Sequence, residues 1–251
     1  VEALGDGIAT GLLGAVSIGD DIGARQRAAE ARGAFEDVVT ALNARYGGRS
    51  LFAGAATEGP ALADAETMLT AIAATTASAP DAATAATAID DWFQAAGGGF
   101  ETMGYLGATT DAPPAQIAPG QSLTYATRAD SGAVRDLLAG LAKIVIGLEA
   151  PPAGDPDAAS ALFEEGARGL TGAIPGIVGE RAALGEAEAR IAETAAAQAA
   201  ERTLLETARA RLVAADPYDT ATEFQAVEQQ LQTVYTITAR LAGLSLLNAL
   251  R

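Results

Sequence analysis

Apolar residues recur at helical spacing along most of the chain and predict a succession of amphipathic helices. One stripe repeats every four residues near the start, and a second recurs at steps of three and four until it stops at a glycine pair. The break between them falls at Gly19-Asp20-Asp21. The two stripes are Leu4, Ile8, Leu12 and Val16, then Phe35, Val38, Val39, Leu42 and Tyr46.

The middle of the chain predicts a smaller mixed region. A helical run brings Met68, Leu69 and Ile72 to one face, and Pro80-Asp81 caps a further helix that continues to Phe93. Between residues 100 and 128, Gly, Pro, Thr and aromatic residues indicate short strands, with residues 122–127 alternating best. Residues 130–149 follow with a capped apolar helix that Pro151-Pro152 closes.

The last hundred residues predict two long helices. Asp155-Pro156-Asp157 starts the first, and Ile174-Pro175-Gly176 is expected to kink or break it. Beyond this point one seam repeats every seven residues, the spacing of a coiled coil. Its polar member either fixes the register or faces a wetter part of the structure. The seam is Ile177, Leu184, Ile191, Gln198, Leu205 and Leu212.

A second capping device, Asp216-Pro217-Tyr218-Asp219, starts the final helix. Between Glu228 and Arg251 the only charged residue is Arg240. A helix with so little charge needs partner helices, so we predict an assembly surface on it. The residues predicted to form that surface are Phe224, Val227, Leu231, Val234, Tyr235, Leu241, Leu244 and Leu247; below they are called the tail face.

These patterns predict a mainly α fold, a rod-like helical bundle or coiled-coil core with a small inserted α+β domain. The expected segments are an N-terminal helical arm at 1–56, the inserted domain at 57–152, a C-terminal arm at 153–214 and a terminal assembly helix at 215–251.

The composition limits the ligands and the catalytic sites that the chain can have. The net charge of −16 argues against binding to nucleic acid or to an anionic membrane surface. The chain has neither Cys nor His, which excludes disulfides, thiolate or histidine metal sites and His-dependent catalytic triads. For an enzyme only carboxylate chemistry remains, and the candidates are the adjacent pairs Asp90-Asp91 and Glu164-Glu165. Adjacent residues on a helix do not face each other. We therefore expect no enzymatic activity, cofactor or metal.

Two stretches resemble the bacterial flagellin family. Gly48, Arg49, Leu51, Phe52 and Gly54 match an Asn/Asp-Gly-Arg-Tyr-Leu-Phe-(Ala/Ser)-Gly turn motif of that family, from which Gly47 and Ser50 depart. The tail from Leu231 to Leu241, with Leu244 to Asn248, is similar to the hook-associated type 3 branch. It has no Ala-Asn-Gln run of the kind that filament flagellins carry before their Leu-Ser-Leu-Leu ending. Arg49 is expected at an interface, in a local salt bridge or at a strand edge.

The resemblance implies a structural subunit of the flagellum, at the junction between hook and filament. Its expected partners are copies of itself, other hook-associated proteins, flagellin and an export chaperone, after export through the flagellar secretion channel to the cell exterior. Flagellins begin with a further long helix that pairs with the C-terminal one; the sequence before residue 1 does not supply it here, so the tail helix is expected to need another partner. The alternatives are filament flagellin and a non-flagellar helical adhesin or secretion-tip protein.

Overall fold

The computed structural model describes residues 2–124, 127–214 and 217–249, with the side chains of 2–4, 217 and 244–249 outside that description. It confirms the mainly α prediction: seven α-helices and two small antiparallel hairpins lie in the described ranges. The helices are α1 Glu2–Ser17, α2 Asp21–Leu42, α3 Ala65–Thr76, α4 Ala82–Gln94, α5 Gly132–Glu149, α6 Pro156–Val213 and α7 Pro217–Ala249. The strands are β1 Arg45–Tyr46, β2 Arg49–Ser50, β3 Ala115–Ala118 and β4 Gln121–Leu123.

Side-chain caps set the starts of several helices. The carboxylates of Asp64 and Asp81 accept hydrogen bonds at 2.8 Å from the amides of Thr67 and Thr84. Hydrogen bonds from Thr67 and Thr84 also hold the pKa values of these two carboxyls below their usual range. The caps predicted at Asp81 and before α5 are confirmed, since Ser131 Oγ accepts from the amide of Val134 at 3.4 Å. The cap predicted at Asp216 lies outside the described residues.

Two local predictions were wrong, and a third was confirmed only in part. The helix predicted to continue to Tyr46 ends at Leu42, because the Asn43 amide group pairs with the backbone of Leu62, at 2.8 and 3.0 Å. Residues 100–104 form a π-helical turn where strands were expected. The strand expected at 122–127 is β4, which ends at Leu123, and residues 125–126 lie outside the described ranges.

Pro175 does not break the helix. α6 continues through it, and the residue is exposed, where water can satisfy the carbonyl that loses its donor. One compact unit ends at Ala192 within α6 and a second begins at Glu193. The four segments expected from the sequence stay predictions.

The first unit has a continuous hydrophobic core. α2 packs against α1 and α5, and α4 packs against α3 and α5. The first turns of α6 complete the core with Leu162, Phe163 and Leu170, all at most 1% exposed. An aromatic cluster closes one part of it, with Phe93 5.6 Å from Phe100 between ring centroids and the Arg135 guanidinium 5.1 Å from the Phe100 ring centre.

The second unit contains the C-terminal part of α6, from Glu193 onward, and the whole of α7. Every side chain described from 195 to 214 and from 218 to 243 is exposed. Among them are large apolar residues that would ordinarily be buried, including Leu204, Leu205 and Leu212 at 71%, 63% and 87% exposure.

Candidate assembly surface

The tail face lies on α7, and the spacing of its apolar residues determines its geometry. Steps of three and four from Phe224 to Leu241 place the side chains along one side of the helix. Exposure ranges from 50% at Val227 and Leu231 to 66% at Phe224, and Tyr235 beside them is 71% exposed. Val234 and Leu241 are exposed as well. Leu244 and Leu247 belong to α7, but their side chains lie outside the described residues.

This surface combines apolar area with near absence of charge. A contiguous run of exposed large apolar side chains on a helix marks an interaction surface, whereas single exposed ones need no explanation. Arg240 is the one charged residue between 229 and 249. The described side chains of the tail face are therefore suited to contact with other apolar surfaces.

The Gly-Arg turn motif forms a two-residue β-hairpin turn. Gly47 and Gly48 have φ angles of 57° and 80°, the left-handed conformation that such turns require. They join β1 to β2, in which Tyr46 pairs with Arg49. Nε of Arg49 donates to the Thr57 hydroxyl at 3.2 Å, so this residue makes a local hydrogen bond at a strand edge.

The rest of the motif ties three segments together. The carbonyls of Phe52 and Ala53 accept hydrogen bonds at 2.9 Å from the amides of Ala129 and Ala108. Gly54 has a φ of 58°, and a Cβ there would lie 2.5 Å from the carbonyl oxygens of Ala108 and Thr110. Only glycine fits such a position, so the motif's last residue is required by backbone crowding.

Polar groups surround the place where residues 52–54 contact residues 108–110 and 129. The Tyr105 hydroxyl donates to the carbonyl of Ala108 at 2.8 Å, and burial, with a smaller effect of Asp130, raises the pKa of Tyr105 to about 12. The guanidinium of Arg128 bonds Asp130 at 2.7 Å and also Asp111. These contacts hold the motif in place and leave Leu51, at 41% exposure, as its exposed apolar member.

Ser50, which stands where the flagellin motif has tyrosine, is 5% exposed, and its hydroxyl has no hydrogen-bond partner. A buried hydroxyl without a partner destabilises the folded state.

Three carboxylates of the adjacent acidic pairs, Asp90, Glu164 and Glu165, form ordinary ion pairs. Nζ of Lys143, a largely buried residue of α5, lies 2.7 Å from Asp90. Glu164 and Glu165 both pair with Arg168 at 3.1 Å. The described residues contain no group of three or more acidic side chains placed to hold a metal ion.

A groove between α2, α5 and α6 was not predicted. Its volume is about 210 Å³, and its charged lining residues are one of each sign, Glu180 and Arg181. The seven-residue repeat signalled two members, Ile177 and Leu184. The other members come from distant parts of the sequence, which periodicity alone cannot bring together. The apolar lining includes Val38, Leu42, Phe52, Val134, Leu137, Ile177 and Leu184; below it is called the α2–α5–α6 groove.

Within the described residues, no helix has both the length and the hydropathy needed to cross a membrane.

The comparisons with known proteins bear on the C-terminal part of the chain. Residues 168–250 match the family model of the bacterial flagellin C-terminal helical region. This range covers most of α6 and all of α7, including every residue of the tail face. No curated protein and no solved structure gives a significant match. The C-terminal helices, with their exposed apolar face, thus match the flagellin C-terminal helical region.

Proposed function

We propose that this protein is a subunit of the hook–filament junction of the bacterial flagellum and that it assembles through the tail face. The observation that carries the proposal is that two features occupy the same part of the chain. The segment that matches the flagellin C-terminal region contains most of the large apolar residues that the described part of the chain leaves exposed.

Burial of the tail face supplies the driving force. Each Leu or Val removed from water contributes about 1.5 to 3 kcal/mol before ordering costs. Ordering side chains and backbone offsets part of this, by about 1 to 2 kcal/mol for each residue that becomes fixed. Several residues on one face are therefore needed, and residues 224–241 provide them at regular spacing.

The tail sequence favours the junction over the filament. Leu231 to Leu241 and Leu244 to Asn248 resemble the hook-associated type 3 branch, and the Ala-Asn-Gln run of filament flagellins is missing. The partners we propose are neighbouring copies, other hook-associated proteins and flagellin, with an export chaperone covering the tail face before assembly. The protein then acts outside the cell, after passage through the flagellar secretion channel.

We also propose that Gly48, Arg49, Leu51, Phe52 and Gly54 position the β1–β2 hairpin within the subunit. The hydrogen bonds from the amides of Ala108 and Ala129 to this segment support this role.

The experiment is a pair of charge insertions in the native gene, Leu231→Asp with Leu241→Asp. Cells should keep their hooks, lose swimming and release filament protein into the medium. Electron microscopy of the cells and immunoblots of the medium measure these three results.

The matched control is Gln229→Asp with Thr236→Asp, which adds the same two charges to the opposite side of α7. These cells should swim normally. Normal swimming of the Leu231→Asp, Leu241→Asp strain would show that the tail face is not an assembly surface. Long filaments formed by the purified protein alone would favour filament flagellin, and labelling of cells that lack flagella would favour an adhesin.

A further inference from the structure

A cavity at the end of α4 is separate from the tail face and from the α2–α5–α6 groove. It is lined by the last turn of α3, the C-terminal half of α4 and a loop of three successive glycines. Its volume of about 550 Å³ is within the roughly 300–1,000 Å³ of small-molecule sites, whereas the α2–α5–α6 groove, at about 210 Å³, is smaller than such sites. The lining includes Thr75, Ala88, Asp91, Trp92, Ala95 and residues 97–99; below it is called the glycine-loop cavity.

One side of α4 forms a wall of this cavity. Ala88, Asp91, Trp92 and Ala95 stand at positions i, i+3, i+4 and i+7, the spacing of a single helical face. The backbone of Gly99 passes directly over the indole, since a Cβ at this residue would collide with Nε1 of Trp92. Because Gly99 also lines the cavity, the nitrogen-bearing edge of the indole lies beside it.

The polar group of this wall is the indole N–H of Trp92. The residue is 6% exposed and packs edge to face on Phe93, with 4.7 Å between the ring centroids. Within the described residues its Nε1–H has no acceptor. Nε1 is not enclosed, however, because Ser50 Oγ is the one fully enclosed side-chain polar atom there that lacks a partner. The donor therefore keeps contact with water, which the hydroxyl group of a ligand can replace.

The cavity does not suit an anion, although glycine-rich loops often bind phosphate. The amides of Gly97 and Gly98 already donate, to Glu101 Oε2 and to the carbonyl of Ala95, both at 2.9 Å. The cavity also lies at the C-terminal end of α4, where the helix dipole is negative. Asp91 adds a carboxylate that has no ion-pair partner in the described part of the chain. A phosphate needs free amides and a positive potential, and the cavity provides neither.

We infer that the glycine-loop cavity binds a small neutral ligand with several hydroxyl groups, the chemistry of a monosaccharide. One hydroxyl accepts a hydrogen bond from Nε1–H of Trp92, and another donates to the carboxylate of Asp91, so the ligand must both accept and donate. The methyl groups of Ala88 and Ala95 leave room for the C–H face of a sugar ring. This inference concerns the first unit alone and does not depend on the tail face.

Fluorescence of Trp92 reports binding at the site itself, because the chain has a single tryptophan. The full-length protein is titrated with glucose, galactose, mannose, N-acetylglucosamine or myo-inositol, and free N-acetyltryptophanamide is titrated in parallel to subtract solvent effects. At least one of these ligands should give a saturable change with a Kd of about 1 mM, the affinity expected for a weak ligand of about 12 to 15 non-hydrogen atoms. Saturation-transfer NMR of the same ligand gives a measurement that is independent of tryptophan.

Two matched pairs of variants locate the ligand. Ala95→Leu places a larger side chain in the cavity and should weaken binding by about tenfold or more, whereas Ala83→Leu, on α4 outside the lining, should change it less than about twofold. Asp91→Asn removes the charged acceptor and should weaken binding by about threefold to tenfold, whereas Asp37→Asn on α2 should leave it unchanged. All four positions are exposed, so far-UV circular dichroism and thermal unfolding should show folded variants.

Three results would overturn the inference. If none of the five ligands gives a saturable signal in either measurement, the cavity does not bind this class of molecule. If Ala95→Leu binds a sugar as tightly as the wild type, the sugar binds elsewhere on the protein. If methylammonium binds, loses affinity in Asp91→Asn and no sugar binds, the cavity takes a cation instead. The proposed function is decided separately, by the swimming of the Leu231→Asp, Leu241→Asp cells.

Discussion

The two units of this protein use apolar residues in opposite ways. Phe163 in the first unit is 1% exposed and Phe224 in the second is 66% exposed, although both belong to amphipathic helices of similar sequence pattern. In the first unit apolar burial stabilises the fold of the single chain. In the second, the same type of residue is exposed to solvent. Hydrophobic pattern therefore identifies a buried face without specifying whether the cover comes from the same chain.

Close helix packing accompanies burial in the first unit. A Cβ on Gly166 would lie 2.6 Å from Ile144 Cγ1 and 2.7 Å from the carbonyl oxygen of Gly140. Gly147 is similarly close to Phe163, at 3.0 Å. Glycines thus let α5 and the start of α6 approach closely. Gly185, farther along α6, has no atom within 4 Å of such a Cβ.

The largest expected difference is between two phenylalanine truncations. Phe163→Ala should lower the free energy of unfolding by about 3 to 5 kcal/mol, since it leaves a cavity in a packed core. Phe224→Ala should change it by less than about 0.5 kcal/mol in the monomer. Urea unfolding measures both, followed by circular dichroism and by fluorescence of Trp92, the single tryptophan. Equal losses would mean that α7 belongs to the cooperative fold of the single chain.

Two glycine substitutions on α6 should differ in sign. Gly166→Ala should destabilise by about 1 to 3 kcal/mol, because backbone atoms must move to admit the methyl group. Gly185→Ala should stabilise by about 0.5 to 1 kcal/mol, because alanine loses less backbone entropy in an open helical position. Thermal unfolding compares them, and a neutral Gly166→Ala would contradict the close approach of α5 and α6.

Ser50→Ala removes a buried hydroxyl that has no partner. We expect the protein to gain up to about 1 kcal/mol of stability, since no hydrogen bond is lost and the cost of burying the hydroxyl disappears. Chemical denaturation at pH 7 measures the change. The exposed Ser17→Ala serves as a control for the same substitution on α1, although it removes a local bond to Gly14. A clear loss of stability in Ser50→Ala would reveal a bound water at the site.

The smallest expected effect is on the stability of the fold at acidic pH. Arg32 of α2 bonds Glu149 of α5 at 2.6 and 2.7 Å, and these hydrogen bonds hold the pKa of Glu149 below its usual 4.5. Because the folded state lowers this pKa, its contribution is present above pH 4.5 and is lost as pH falls through the folded value. Partial exposure keeps it below about 1 kcal/mol.

Glu149→Gln should therefore flatten the decline in stability between about pH 5 and pH 3 relative to the wild type. Denaturation midpoints at half-unit pH steps measure the slope. Glu193→Gln removes the same charge in the second unit and should leave the slope unchanged; equal slopes in all three proteins would show that the Arg32–Glu149 pair adds nothing.

Local sequence signals predicted the helix starts well and the irregular segments poorly. Asp81 and Ser131 cap the helices that their positions indicated, because a cap depends on residues only three apart. The end of α2 depends on a bond between Asn43 and Leu62, and the π-helical turn at 100–104 lies beside the aromatic cluster. Neither bond nor cluster can be read from a short window of sequence.

The sequence by itself determined that the chain is mainly helical, that α7 has an apolar face with almost no charge, and that residues 48–54 resemble the flagellin turn motif. It also excluded chemistry based on Cys and His. Only the tertiary structure decided that the stripes of α2, α5 and early α6 are covered within the chain while that of α7 is exposed. The physical reason is that periodicity specifies which side of a helix avoids water, whereas burial depends on which other segments, far apart in sequence, fold against it.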